Sequence, residues 1–399
     1  MDSNKFILKY LNRSKSLFFD DLANNGNLLS SNIDGSKILV IGGAGTIGSS
    51  FIKAALKFKP ARITVVDINE NGLTELVRDL RSTKNQYIPN EFHTYPISFG
   101  SDLFVKLFLS CAPFDIIANF AAHKHVRSEK DIFSIEALLE NNLIKAKSLL
   151  DLLVVHPPKH FFCVSTDKAA NPVNIMGASK KMMEDLIFAY SSKFKISTAR
   201  FANVAFSNGS LLEGFLKRIE KQQPLACPSD IKRFFVSPQE AGEICLLACI
   251  LGNTAEILFP RLDMNSDMIN FADIFPALLK EFGYEPYICN SEEDARNKMD
   301  LLKEKMYPVY LFKTDTSGEK LYEEFYTEEE QYDLSRFDQL GVISKSPVYS
   351  INEFNKIIDE LNLLLNNQKL IKSDIINWLN KYIPEFYHIE TGLSLDKKM

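Results

Sequence analysis

The chain has 399 residues, 46% of them hydrophobic, and a formal net charge of −5. That apolar share supplies a core and excludes global disorder, and the length predicts one large domain with lobes or two domains. A mildly acidic chain with no long basic run excludes nucleic acid as the main partner, though not a nucleotide-sized ligand, which needs only a few local cations.

Residues 1–34 are polar and rich in Asn and Ser, with two short amphipathic pieces, Phe6–Leu11 and Leu17–Leu22. They read as a helical extension. The start lacks the apolar region of a signal peptide. No apolar run reaches the roughly 18–20 residues a bilayer span needs. The expectation is a cytoplasmic protein without a membrane span. Regular alternation then begins. Lys37–Ile41 reads as a first strand, 47–58 as a helix, Arg62–Val66 as a second strand ending at Asp67, and 70–81 as a charged helix. A weaker third strand is expected at 93–97 and a fourth at 116–120, followed by a long helical region to about Leu153. A fifth strand at 161–164, a helix to about Lys193 and a sixth strand at 196–201 complete the pattern. Strands alternating with helices predict an α/β fold with a Rossmann-type, doubly wound parallel sheet.

Beyond Phe206 the alternation loosens. Segments 210–222 and 238–252 read as helices, and 254–345 mixes short strands, helices and charged loops. The expected organisation is an extension (1–34), a dinucleotide-binding domain (35–206), a smaller substrate-binding lobe (207–345, with some chain returning to the main domain) and a helical tail (346–399). Helices are expected at 351–366 and 373–383. The six cysteines, Cys111, Cys163, Cys227, Cys245, Cys249 and Cys289, include no CxxC pair and read as core thiols of a reducing compartment, with no metal site.

Two stretches carry chemistry. The first is Gly42-Gly43-Ala44-Gly45-Thr46-Ile47-Gly48, between a strand and a helix. Gly42 suits a tight turn, Gly45 lets a pyrophosphate approach the backbone, and Gly48 lets helix and strand pack. Amides at the helix start, from Thr46 and Ile47 on, favour phosphate. Asp67, at the end of the next strand, suits the diol of an adenosine ribose and repels a 2′-phosphate, which points to NAD over NADP; the plainer alternative is a turn residue. The second stretch is Cys163–Lys180, CVSTDKAANPVNIMGASK. A hydroxyl, a carboxylate and an ammonium (Thr166, Asp167, Lys168) follow a buried strand end. Met176 and Lys180 stand four apart at the start of a helix.

With these glycines, AAHKHV at 121–126, STDKAANPVNIMGASK at 165–180, RFANVAFSNGS at 200–210, KRFF at 232–235 and SGEKLYEEF at 317–325, the chain resembles the extended short-chain dehydrogenase/reductases. More narrowly, it resembles the polysaccharide-biosynthesis nucleotide-sugar 4,6-dehydratases that act on UDP-N-acetylglucosamine. In most short-chain dehydrogenases the residue at Met176 is Tyr. One branch of these dehydratases shares the Met, and its members retain the configuration at C5. Ser50 and Ser98 stand where many relatives carry acids.

The resemblance implies a tightly bound NAD regenerated in each cycle, a UDP-sugar substrate, and a homodimer or higher homo-oligomer. A GDP-linked amino-sugar dehydratase, a nucleotide-sugar epimerase and a catalytically silent scaffold are the alternatives. It implies cofactor contacts from Ala121, Ala122, Lys124 and Lys180, and a supporting role for Asn142. Elimination needs a base at C5 and an acid at the C6 hydroxyl. Lys168 suits the base if its surroundings lower its pKa, and Asp167 the acid; Thr166 suits the C4 oxygen. A thioether moves no protons, so the C4 hydroxyl proton passes to Asp167 or to a water held by Thr166. Met176 itself reads either as core or as facing the ligands. His125, Asn203, Ser207, Ser210, Arg233, Glu319 and Lys320 are candidates for the substrate side. Arg233 suits a diphosphate, or alternatively an interdomain salt bridge.

Overall fold

The computed structural model describes residues 1–315, 317–320 and 322–392. Its main sheet starts from six parallel strands: β1 (Lys37–Ile41), β2 (Arg62–Asp67), β3 (Glu91–Pro96), β4 (Ile116–Asn119), β5 (His160–Cys163) and β6 (Ile196–Ala199). In space they run 3-2-1-4-5-6, continued by Glu256–Pro260 parallel to β6 and then by antiparallel Leu340–Ser344 and Tyr332–Asp333. β1, β4, β5 and β6 are almost wholly buried, as strands covered by helices on both faces must be. The order reverses between β1 and β4, and the crevice beyond the carboxyl ends of those strands is where such folds bind ligands. The fold is therefore the expected doubly wound α/β sheet.

Differences from the sequence reading are local. The third strand is Glu91–Pro96, two residues earlier than expected, and it alternates exposed and half-buried positions as an edge strand does. A helix at Asp102–Cys111 joins β3 to β4 where none was expected. The helix Pro238–Leu251, whose partner the sequence reading did not assign, packs under the main sheet against Thr46–Leu56. The two helices cross so closely that a Cβ on Gly242 would lie 2.3 Å from the backbone of Ser50. A capping box of Ser237 and Glu240 starts Pro238–Leu251.

The smaller lobe has its own apolar core around a three-stranded parallel sheet of Glu285–Cys289, Met306–Phe312 and Leu225–Pro228. Leu211–Glu220 and Phe271–Glu281 cover it. The N-terminal extension serves both cores: Phe6 and Ile7 insert into the lobe, whereas Phe18, Leu29 and Ile33 belong to the main core. The C-terminal helices Ile351–Leu365 and Lys372–Tyr382 pack on the helix Ile175–Ala189. Cys163, Cys227, Cys245, Cys249 and Cys289 are buried. No helix among the described residues is long and apolar enough to cross a membrane.

Candidate active site

The glycine turn is shaped by contact. Gly42 sits at φ +76°, and a Cβ there would lie 2.5 Å from the amide nitrogen of Ala121, just past β4. A Cβ on Gly48 would lie 2.4 Å from the carbonyl oxygen of Gly42, so only glycine lets the helix start this close to the turn. Gly45 is different: its Cβ would meet only that same oxygen, at 3.5 Å. The space on that side of Gly45 is otherwise open. Gly43, not singled out from the sequence, is also tight, with Val65 Cγ1 at 2.3 Å from its would-be Cβ. Asp67 accepts from the amides of Ala44 (3.0 Å) and Asn69 (2.9 Å), so it does organise the turn, while its carboxylate keeps further lone pairs.

Between this turn and the lobe lies a cleft of about 600 Å³. Among the sequence candidates, Ile47, Ala122, Lys124, His125, Thr166, Asp167, Lys168, Met176, Lys180, Asn203, Ser207, Ser210, Arg233 and Glu319 line it. Gly42, Gly45, Thr46, Gly48, Asp67 and Ala121 lie outside that lining, around the turn and the ends of β2 and β4. Lys320 is not part of the lining either; its carbonyl accepts from Arg233 Nη2 at 2.9 Å. Leu321 of the same motif lies outside the described residues. Thr46 Oγ1 accepts from the amide of Asn208 (3.0 Å), which ties the turn to the loop after β6. Ser210 caps the helix Leu211–Glu220 through the amide of Glu213, so its hydroxyl has a structural duty at the cleft edge.

Asn142 supports the wall. Its side chain accepts from the amide of His123 (2.9 Å) and donates to the carbonyl of His123 (3.0 Å) and to Ser179 Oγ (3.1 Å). It does this from a π-turn, Glu140–Ile144, a local widening that recurs at functional sites. Lys180 is buried, and its Nζ donates to the carbonyl of Val164 at 2.6 Å. Burial pulls its pKa down. Met176 is 1% exposed, so it packs in the core and forms cleft wall at once.

The chemistry concentrates in a row of alternating charges. Arg233 Nη2 lies 3.7 Å from Glu323 Oε1, which lies 3.6 Å from Lys168 Nζ, which lies 3.1 Å from Asp167 Oδ1. Three donors converge on that Asp167 oxygen: Thr166 Oγ1 (2.8 Å), the Lys168 amide (2.9 Å) and Lys168 Nζ. Asp167, Arg233 and Glu323 are all buried. Burial works against the charge on Lys168, but Asp167 and Glu323 outweigh it and hold the ammonium above its ordinary pKa. The condition set for Lys168 as a base, surroundings that lower its pKa, is therefore not met by the resting site. Glu323 is raised as well. Burial raises its affinity for a proton, against the pull of Lys168. Glu319 is raised by burial too. Glu323 is not legible in the motif SGEKLYEEF, because nothing in the motif says which of its acids turns toward Lys168.

A family model described as "Polysaccharide biosynthesis protein" matches residues 38–345. An uncharacterized membrane protein of Methanocaldococcus jannaschii is 33% identical over 332 residues, covering 80% of this chain and 89% of that protein. The probable polysaccharide biosynthesis protein EpsC of Bacillus subtilis is 29% identical over 301 residues, 74% of this chain, which spans 48% of that longer relative. A UDP-N-acetylglucosamine 4,6-dehydratase (inverting) of Campylobacter jejuni is 27% identical over 240 residues, 57% of this chain and 68% of the relative. The fold matches that of Pen from Bacillus thuringiensis with a TM-score of 0.64 at 20% identity, over 89% of this chain and 98% of that one. With the family model covering both the glycine turn and the charged row, the chain belongs to the polysaccharide biosynthesis protein family.

Proposed function

We propose that this chain is an NAD-dependent nucleotide-sugar 4,6-dehydratase acting on UDP-N-acetylglucosamine. The observation that carries the reading is the row Asp167–Lys168–Glu323–Arg233 on the wall of a cleft whose Tyr position is the proton-inert Met176. That set suits proton removal and elimination better than simple alcohol oxidation. The names of two Campylobacter jejuni relatives, both inverting UDP-N-acetylglucosamine 4,6-dehydratases, support the substrate class, whereas the retained C5 configuration rests on Met176 alone.

The turn suits a dinucleotide: Gly45 is open, the helix from Thr46 offers its amides, and a carboxylate at Asp67, at the end of β2, favours NAD over NADP. When bound, NAD supplies reversible hydride acceptance at C4 and hydride return at C6. The residues handle the protons. Thr166, already donating to Asp167, relays the C4 hydroxyl proton to that carboxylate. Neutralising Asp167 removes one of the two charges that hold the proton on Lys168. The Lys168 proton then passes to Glu323, whose burial favours the neutral acid. The amine takes the C5 proton, and Asp167 gives its proton to the C6 hydroxyl, which leaves as water. The Lys168 ammonium exchanges its protons with solvent and later delivers one to C5 on the face the first proton left from, so C5 keeps its configuration, and Glu323 gives its proton back. One water is lost, and every group ends as it began. Arg233 binds the diphosphate.

Mass spectrometry after incubation with UDP-N-acetylglucosamine tests this. A product lighter by one water, with no net NADH, supports it. An isomass product indicates an epimerase, and no change with UDP- or GDP-sugars indicates a binding scaffold.

A further inference from the structure

The segment from Ile383 to Gly392 lies outside the residues matched by the family model, yet it binds the back of the candidate site. Ile383 and Phe386 anchor it in the main core. The amide of Ile389 then donates to the carbonyl of Val173 (3.0 Å), and its carbonyl accepts from the amide of Gly318 (2.9 Å). One residue thus bridges the loop leading to Met176 and the loop leading through Glu319 to Glu323. These loops are also joined directly, by Asn174 Nδ2 donating to the carbonyl of Gly318 at 2.7 Å.

A second bridge runs through Glu129. His388 Nε2 donates to Glu129 Oε2 at 2.9 Å, and Glu129 Oε1 accepts from the amide of Met176 at 3.2 Å. Both side chains of the pair are 5% exposed. The Met176 amide belongs to the first turn of the helix Ile175–Ala189, where donors lack intrahelical partners and negative charge is favoured. Around this pair, Lys372 Nζ and Ser317 Oγ donate to Glu390 at 2.6 Å each, and Thr391 Oγ1 donates to the carbonyl of Asp315.

We infer that this C-terminal segment is a clamp that sets the spacing between Met176 and the carboxylates that face Lys168, with His388 as a positioning residue acting through Glu129. The inference rests on the dehydratase reading for its catalytic consequence, but not for its structural one. Two properties follow. The clamp acts on the substrate side of the cleft and leaves the dinucleotide turn alone. It also requires a donor at His388, not an imidazole as such.

Hydrogen exchange by mass spectrometry on the full chain tests the structural part, comparing His388→Ala and His388→Gln with the parent. Expected are at least fivefold faster exchange in segments 172–177 and 317–323 in His388→Ala, unchanged exchange in 40–50, and recovery in His388→Gln. NAD affinity should stay within twofold. With UDP-N-acetylglucosamine, kcat should fall at least tenfold in His388→Ala and recover to within threefold in His388→Gln. Unchanged exchange in both loops overturns the clamp. Faster exchange with kcat unaltered overturns its positioning role, as does a loss of NAD binding in step with kcat, which marks general unfolding. If the parent shows no dehydration, the function reading fails by itself and exchange alone decides for or against the clamp.

Discussion

Replacing Glu323 by Gln tests the proton inventory of the site. The change is isosteric and removes one charge, 3.6 Å from Lys168 Nζ. At an effective dielectric of ~20, two unit charges at that separation attract by roughly 4–5 kcal/mol before screening and relaxation. If a third of that survives, about 1.4 kcal/mol, the effect is tenfold on a rate or an equilibrium. The sign follows from the charges. Glu323 helps to hold Lys168 above its ordinary pKa, so its removal lowers the Lys168 pKa. In the parent, the proton that Lys168 gives up stays within the pair, and elimination is nearly flat with pH around neutrality. In Glu323→Gln that proton must go to solvent. Loss of that acceptor should make activity rise with pH through the neutral range, and the roughly tenfold weaker proton affinity of Lys168 moves the rise about one pH unit down. The assay is the initial rate of solvent-deuterium incorporation at C5 across the pH range, which isolates the base from product release. A Glu323→Gln profile as flat as the parent's would refute the role given to Glu323, and so would a profile that falls with rising pH.

Gly48→Ala should weaken NAD at least tenfold by calorimetric titration, because its Cβ would press on backbone 2.4 Å away and overpacking costs about 1–3 kcal/mol. Gly45→Ala separates ligand from fold: with only Gly42 O near its Cβ, at 3.5 Å, the melting temperature of the ligand-free chain should hold within a few degrees while NAD affinity falls. Asn142→Ala strands the amide and carbonyl of His123, and at roughly 1–3 kcal/mol per buried unpaired group it should lower the thermal midpoint by several degrees. Asp67→Ser should narrow the preference for NAD over NADP at least tenfold; an unchanged ratio would return Asp67 to its turn-forming role alone.

How far the sequence could be read depended on whether a signal was local. β1 is legible to the residue because an apolar run is bounded by Ser36 and by a glycine that must adopt positive φ. The helix Asp102–Cys111 was passed over because Leu103, Val105 and Leu109 are exposed, so its apolar residues do not keep to one face. Pro238–Leu251 is buried on almost every side, which reveals a helix but not the element it packs against. The Thr166-Asp167-Lys168 triplet was visible as chemistry, since three functional groups in a row at a strand end need no long-range knowledge. The charge state of Lys168 is not visible in the sequence, because it depends on Glu323, which is distant along the chain. The same holds for His388 and Glu129, whose pairing joins segments that look unremarkable in isolation.

The proposed reaction moves hydride within one sugar, from C4 to C6, coupled to loss of water. Substrate carrying deuterium at C4 follows that hydride. The expected product is lighter by one water, with the label at C6 and one solvent-derived hydrogen at C5. Label remaining at C4 in an isomass sugar nucleotide would contradict it.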